Sequence, residues 1–517
     1  MSIEYYFNYQ VLLQYPFIKM TDGDNFTENF MESFSADESN PKASNEKLAW
    51  QQQESVLNYN KNIFNSMIAE NRTRPVRVQR VNVVGCGKSF RDSFLQRQLE
   101  PLLNNNKYLT MQDFLKNVDL TTANFTKTNT VRDIGLSIAT PQTKSPFTSM
   151  DTLEIIPTLN VLPVKRFFMK VGTDVGNGEG DGYLALQWKN IFGGGEFLSF
   201  DTSMSSNRIG ARNRSQNLVS YSMPIMNSPN LKWTTIGYQS SRLIDYTTYH
   251  EEFALGLTNR ISTNYYPAEK KLNHELSFEN LLRVMNMVYS PNNYRGNSLI
   301  NDFFLLNAGH SLKSSLTYSV QFDSRDSPTV PHQGQYIKLS NELSLLPGNR
   351  FIKTCLDSVS AYPVSKTASV NFSLKSGIIH KFSINPVNPL DKFHLGGPND
   401  MRGFMLSGMG PKQMGMSIGG DAFFAAGASL INKIPYAPED SNFKMHSFIN
   451  TGKLINLSKN TYLAKELTTN VDMSIGFGVV YAHPAARLEL NYVLPIVAHQ
   501  GEEVRTGLQW GIGLSFL

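Results

Sequence analysis

The chain has 517 residues, a formal net charge of +5 and a mean hydropathy of −0.28, and no run of about 18 apolar residues predicts a transmembrane helix. Its lysines and arginines are dispersed, which disfavours a nucleic-acid surface, and its two cysteines do not make a disulfide framework. The nine histidines show no metal-ligand spacing, so we expect neither a metal ion nor another cofactor.

Residues 1–74 form an N-terminal extension. They lack the basic and apolar regions of a secretory signal and the composition of an Arg-rich presequence, so we expect synthesis in the cytosol. Residues 20–50 are rich in Asp, Glu, Asn and Ser, which favours a flexible acidic segment. Residues 45–71 are compatible with a helix.

Residues 75–162 predict a small α+β domain. Valines between Val76 and Val84 favour a strand, and apolar residues at helical spacing follow at about 89–99 and 110–123. Strand patterns then lie near 131–139 and 152–161. This β-α-α-β-β order resembles a POTRA domain, a module of outer-membrane assembly proteins.

Residues 163–517 alternate with period two, which is typical of strands that are apolar on one face only. Aromatic residues make up 11% of the chain and suit the girdles of a membrane barrel. A soluble β-sandwich is the alternative, but it would show turn signals roughly every 8–12 residues. We predict a mainly β chain with a 16-stranded antiparallel transmembrane β-barrel. Its strands begin near residues 166, 182, 196, 216, 231, 248, 272, 307, 334, 352, 367, 417, 443, 473, 485 and 504.

The segment 383–416, between the eleventh and twelfth predicted strands, contains the string LGGPND at 395–400, followed by Met401, Arg402, Gly403 and Phe404. It closely resembles the barrel-assembly (bacterial surface antigen) superfamily, whose sixth long loop carries a hydrophobic-Arg-Gly-Phe tetrapeptide and folds back into the barrel. The full string is similar to the mitochondrial branch, the central barrel subunits of the sorting and assembly machinery. The resemblance covers about residues 75–517.

This resemblance implies that Arg402 meets an acidic residue inside the barrel, because an unpaired buried charge is costly. Gly403 permits a tight turn of the backbone, and Phe404 can pack against the barrel wall. We predict an ion pair between Arg402 and Asp421. The inward-facing residues predicted to meet the loop are Asp421, Asn450, Asp472 and Glu489.

The last predicted strand resembles the sorting signal of mitochondrial β-barrel precursors. The specified positions of that signal are filled by Gln509, Gly511, Leu514 and Phe516. The resemblance implies a lateral seam between the first and last strands, where a client strand adds to an exposed edge. On the first strand, the residues assigned to this seam are Arg166, Phe167, Met169 and Val171.

The resemblance therefore implies insertion of β-barrel precursors into the mitochondrial outer membrane, with the N-terminal domain in the intermembrane space. The implied partners are precursor clients, the lipid bilayer and peripheral receptor subunits on the cytosolic face, while self-association stays open and no nucleic acid is expected. A porin-type diffusion channel and a polypeptide translocation pore are the alternatives.

A G-x-S-x-G string at 415–419 matches the nucleophile turn of hydrolases, so an enzymatic function must be considered. In hydrolases this turn is followed by a helix, whereas a strand pattern follows it here. We predict that the protein is not an enzyme.

Overall fold

The computed structural model describes residues 66, 70–87, 89–103, 109–141, 152–176, 179–207, 214–244, 250–266, 269–287, 302–346, 348–383, 385–435, 441–457, 463–483, 486–513 and 517. The predicted acidic segment at 20–50 and nearly all of the predicted helix at 45–71 lie outside these residues. None of the helices in the described ranges is long and apolar enough to cross a membrane.

The chain divides into two compact units. The first contains the described residues up to Arg166 together with Lys189–Gly195 and Met226–Pro229, and the second contains the rest. The elements of the α+β domain in the first unit are β1 (Pro75–Val78), β2 (Asn82–Val84), α1 (Asp92–Gln98), α2 (Glu100–Leu103), β3 (Leu109–Thr110), α3 (Met111–Lys127), β4 (Val131–Ala139) and β5 (Leu153–Pro163). Strand β5 pairs parallel with β1 and β2 and antiparallel with β4.

Helix α3 begins where Thr110 accepts a hydrogen bond from the backbone N–H of Asp113 at 3.2 Å. The Thr110 hydroxyl donates to the Asp113 carboxylate at 2.7 Å, which holds the pKa of Asp113 below its ordinary value. Phe114, Val118 and Phe125 lie on one face of the helix and are buried. They share one core with the inward residues of β5, so this helix closes one side of the domain.

The second unit is built on one antiparallel sheet, and its sixteen strands confirm the predicted number. The strands are β6 (Phe167–Gly176), β7 (Glu179–Lys189), β8 (Phe197–Asn207), β9 (Arg214–Pro224), β10 (Leu231–Ile244), β11 (His250–Thr263), β12 (Asn273–Met287), β13 (Gly309–Asp323), β14 (Gly334–Ser344), β15 (Phe351–Pro363), β16 (Ala368–Lys381), β19 (Ala422–Lys433), β20 (Phe443–Ile455), β21 (Asp472–Ala482), β22 (Arg487–Val497) and β23 (Gly507–Gly513). Outside this sheet are α4 (Asp302–Asn307), the small hairpin of β17 (Lys412–Gln413) and β18 (Met416–Ser417), and α5 (Leu463–Thr468).

In this sheet the polar face is buried and the apolar face is exposed, which is the reverse of a soluble protein. The polar residues of β22 are buried and the apolar residues between them are exposed: Arg487, Glu489 and Asn491 alternate with Leu488, Leu490 and Tyr492. In β23, Trp510 is 67% exposed whereas the neighbouring Gln509 is 4% exposed. An apolar outer face and a polar inner face are what a barrel in lipid requires.

Strands β6 and β23 are the two edges of the sheet, which is not closed. Within the described ranges, no residue of β6 pairs with β23. An edge strand leaves backbone N–H and C=O groups unpaired, and lipid offers these groups no hydrogen-bond partner. The edges are therefore the places where the sheet can accept another strand.

Candidate functional site

The connection between β16 and β19, residues 382–421, packs against the inner face of the sheet, and we call it the inner loop. Its buried apolar residues share one cluster with residues of the surrounding strands and with Leu517. These loop residues are Val387, Phe393, Leu395, Met401, Phe404 and Met409. Apolar burial thus holds the loop in place along much of its length.

Arg402 is 1% exposed and lies against β22. Its Nε donates to Glu489 Oε2 at 3.0 Å, and its Nη2 lies 2.9 Å from the same oxygen. Its Nη1 donates to the main-chain oxygen of Leu517 at 2.6 Å, and the guanidinium lies 4.5 Å from the ring centroid of Phe448. A carboxylate and an aromatic face together offset the cost of removing this charge from water.

Glu489 is the centre of a buried polar network on the inner face. Arg487 Nη2 lies 2.5 Å from Glu489 Oε1, so two guanidinium groups share this carboxylate. Asn491 donates its amide to Glu489 Oε2 at 2.7 Å, and His446 Nδ1 lies 3.2 Å from Asn491 Oδ1. Shared charge and several hydrogen bonds fix the position of the carboxylate that receives Arg402.

The predicted ion pair between Arg402 and Asp421 is wrong. Asp421 Oδ1 lies 3.3 Å from Lys392 Nζ, and its other oxygen accepts a hydrogen bond from the backbone N–H of Leu457 at 3.2 Å. Asp421 stands directly before β19, where the loop ends, and therefore meets the first part of the loop. Arg402 lies at the loop tip and reaches β22 instead, so the inward-facing Glu489 is its partner.

Asn450 and Asp472 are the other two residues that the sequence predicted to meet the loop. Asn450 lies beside the loop: with its amide oriented to donate to the Ile449 oxygen at 3.1 Å, its own oxygen lies 3.1 Å from Arg402 Nη1. Asp472 is buried at the start of β21, and its carboxylate bonds to His499 Nδ1 at 2.6 Å. His499 belongs to the connection between β22 and β23, residues 498–506, which we call the last connection.

The last connection runs alongside the loop tip and forms β-like hydrogen bonds with it. Met405 donates its N–H to the Glu503 oxygen at 2.8 Å, and Arg505 donates to the Gly403 oxygen at 2.8 Å. These bonds flank a β-bridge between Phe404 and Val504. The Arg-Gly-Phe motif is thereby joined to the strand that ends the sheet.

Gly403 meets a requirement that only glycine fulfils easily. Its φ is +89°, and a Cβ at this position would lie 3.1 Å from the Cβ of Ser474 and 3.2 Å from Cγ1 of Val493. Its N–H donates to Gln509 Oε1 at 3.1 Å. Gln509 was predicted only as part of the sorting signal; its inward position on β23 was the signal that it could meet the loop.

Asp472, His499 and Glu502 gather where β21 begins and the last connection turns. One possible ligand atom from each lies within 4.8 Å of the others, so these are the described residues that could hold a metal ion. Burial raises the pKa of Glu502, and the adjacent Asp472 carboxylate raises it further, to about 7. Backbone N–H groups of His499 and Gly410 partly oppose this increase.

Five of the eight predicted seam residues lie on the two edge strands of the sheet. Phe167, Met169 and Val171 of β6 are 57%, 58% and 63% exposed. Gln509 and Gly511 of β23 lie on the inner face and are buried. Arg166 precedes β6, and its guanidinium donates to the Ser89 oxygen at 3.2 Å. The predicted positions Leu514 and Phe516 lie outside the described residues.

The chain is similar to proteins of one family over most of its length. The profile of the Omp85 superfamily domain matches residues 190–516. A SAM50-like protein of Schizosaccharomyces pombe is 30% identical, covering 88% of this chain and 94% of its own length. The sorting assembly machinery 50 kDa subunit of Saccharomyces cerevisiae is 34% identical, covering 71% of this chain and 78% of its own.

A solved structure supports the same assignment at the level of the fold. BamA from Haemophilus ducreyi lacking POTRA domains 1–3 superposes with a TM-score of 0.63 at 15% identity, covering 85% of this chain and 84% of that chain. The family profile spans more than half of the chain, which confirms the resemblance found in the loop motif. The chain belongs to the Omp85 superfamily.

Proposed function

We propose that this protein inserts and folds β-barrel precursor proteins in the mitochondrial outer membrane. Its relatives in both yeasts are named for the sorting and assembly machinery, which supports this assignment. The observation that carries the proposal is the open sheet, whose unpaired edges β6 and β23 flank the only gap in the strand order of the described residues.

The unpaired edge of β6 is the part of the molecule that receives the client. An incoming strand adds to this edge by β-augmentation, so backbone groups that lipid would leave unpaired gain partners. Further hairpins of the client then fold at the same edge and leave sideways into the bilayer. This process forms and breaks hydrogen bonds only, so the protein acts without covalent catalysis and is not an enzyme.

The inner loop keeps the opposite edge in position during this exchange. Arg402 binds Glu489 of β22, and the backbone of Gly403 binds Gln509 of β23. These contacts hold the last two strands to the inner loop while β6 accepts a client. The loop is therefore a brace for the seam.

The location and partners follow from the assignment to the mitochondrial machinery. The α+β domain lies in the intermembrane space and passes precursors to the barrel. Peripheral receptor subunits bind on the cytosolic face. The precursor proteins are the clients, and the exposed apolar face of the sheet contacts the lipid bilayer.

Reconstitution in liposomes tests the proposal. The purified chain is expected to accelerate protease-resistant insertion of a β-barrel precursor relative to empty liposomes, and Arg402→Ala is expected to remove most of this acceleration. Equal insertion in empty liposomes would contradict the proposal. Steady ion conductance without accelerated insertion would instead assign the chain to the porin-type channels.

A further inference from the structure

Asp391 lies in the inner loop and is 2% exposed. Arg283 of β12 donates Nη1 to Oδ1 at 2.9 Å and Nη2 to Oδ2 at 3.0 Å. Lys313 of β13 donates Nζ to Oδ1 at 2.8 Å, and Lys353 of β15 donates Nζ to the main-chain oxygen of Asp391 at 2.9 Å. Three cations from three strands thus converge on one residue of the inner loop.

Ionised Asp391 brings the charges of this cluster closest to balance. Lys313 Nζ also lies 2.5 Å from Glu342 Oε1 of β14, so two carboxylates meet three cations. Burial raises the pKa of Asp391, but Lys313 and Arg283 more than offset this and lower it to about 2. Asp391 is therefore charged at neutral pH. Without that charge, one carboxylate would face three buried cations.

We propose that Asp391 is a second anchor of the inner loop, opposite in charge to Arg402. At this anchor the carboxylate of Asp391 binds bases on β12 and β13, and its main-chain oxygen binds Lys353 on β15, whereas at the tip a base of the loop binds Glu489 on β22. The inner loop then links the middle strands of the sheet to its last strands. Asp391 is a positioning residue, and this role rests on the proposed function in precursor insertion.

Two anchors hold the loop better than one because each limits the movement of the other. Without Asp391, the first half of the loop would be held to the sheet mainly by apolar side-chain contacts such as those of Phe393 and Leu395, because the backbone hydrogen bonds of these two residues stay within the inner loop. Bidentate binding by Arg283 fixes both distance and orientation. Asp391 therefore sets where along the sheet the tip is presented.

The alkylation rate of the native Cys355 measures whether the inner loop is packed against the sheet. Cys355 of β15 packs against the apolar cluster that the loop completes, whereas Cys86 is buried in the core of the α+β domain and serves as an internal control. In membranes containing the full chain, Asp391→Asn is expected to raise the rate of Cys355 alkylation by N-ethylmaleimide about tenfold, because the loop opens locally more often. Cys86 alkylation is expected to stay unchanged.

Asp400→Asn is the matched control. Asp400 lies in the same loop but is 41% exposed and pairs with Lys375 at 2.8 Å near the surface, so its loss is expected to change Cys355 alkylation by less than about twofold. Asp391→Glu, which keeps the charge, is expected to give an intermediate rate. Equal Cys355 alkylation in Asp391→Asn and Asp400→Asn would overturn the second anchor.

A charge-balancing variant keeps the test decisive if Asp391→Asn fails to assemble. Lys313→Gln removes one of the three cations and returns the net charge of the Asp391→Asn cluster to its wild-type value, so it is expected to restore assembly of the Asp391→Asn chain and to slow Cys355 alkylation again. Failure of this restoration would also overturn the anchor.

Precursor insertion, measured on the same variants, separates this inference from the proposed function. Faster Cys355 alkylation together with slower insertion supports both. Unchanged alkylation with slower insertion would overturn the anchor and leave the proposed function standing. Faster alkylation with normal insertion would overturn the positioning role of Asp391.

Discussion

Arg402 Nη2 lies 2.9 Å from Glu489 Oε2, and each of the two side chains is 1% exposed. Arg487 approaches the other oxygen of the same carboxylate. One buried carboxylate therefore balances two guanidinium groups, and this arrangement joins the tip of the inner loop to β22. The predictions below test this junction and the parts of the fold that support it.

Glu489→Gln is expected to be strongly destabilising. The substitution keeps the shape of the side chain but leaves Arg402 and Arg487 without their carboxylate, which costs about 3–5 kcal/mol for a buried pair. Thermal unfolding in detergent micelles measures this loss. Asp421→Asn is expected to cost less, because Asp421 is 18% exposed and pairs with a single lysine, Lys392. A larger loss for Asp421→Asn would favour the pairing that the sequence suggested.

Gly403→Ala is expected to destabilise the loop tip. The φ of +89° costs about 1–3 kcal/mol for a residue with a side chain, and the added methyl group also crowds Ser474 and Val493. Gly415→Ala is the control, because Gly415 has a φ of +77° but no atom within 4 Å of the added Cβ. Assembly of the two variants in membranes distinguishes crowding from backbone strain. Equal effects would show that the contacts of Gly403 do not matter.

The last connection is expected to be more stable as the pH falls from 8 to 6. The pKa of Glu502 is raised to about 7 from 4.5 by burial and by Asp472. A raised carboxyl pKa contributes stability that is complete below about pH 4.5 and is lost as the pH rises through about 7. Hydrogen exchange at 403–408 and 499–505 measures the change. Glu502→Gln should remove the pH dependence, and its persistence in this variant would contradict the assignment.

Phe114→Ala is expected to unfold the α+β domain at lower temperature. Phe114 is fully buried on α3, and removing such a side chain costs about 3–5 kcal/mol. Leu120→Ala on the same helix, where the side chain is 55% exposed, is expected to change stability by less than about 0.5 kcal/mol. Hydrogen exchange of α3 in the full chain separates the two. Similar exchange would show that the apolar face does not stabilise the domain.

The strands of the sheet were predictable because their side chains alternate between two very different surroundings. The exception is the start of β19, predicted at 417 and found at Ala422. Gly420 exchanges both backbone hydrogen bonds with Phe393 of the inner loop and therefore stays outside the strand. Local alternation cannot reveal such a partner, because it depends on where a distant segment folds.

The partner of Arg402 was not predictable for a related reason. Alternation along β22 places Glu489 on the inner face, but it does not give the depth to which the loop tip reaches. Asp421 is closer in the sequence, yet it meets Lys392. The anchor at Asp391 was missed because its partners Arg283 and Lys313 lie on strands far from it in the sequence.

Site-specific crosslinking tests the central claim most directly. A precursor carrying one cysteine in its last strand is presented to chains in which Cys86 and Cys355 are replaced by serine. With Met169→Cys on β6, whose side chain is 58% exposed on an unpaired edge, we expect a disulfide-linked product during insertion. With Leu257→Cys, which is 48% exposed on the fully paired β11, we expect none. Equal products at both positions, or none at position 169, would contradict the account.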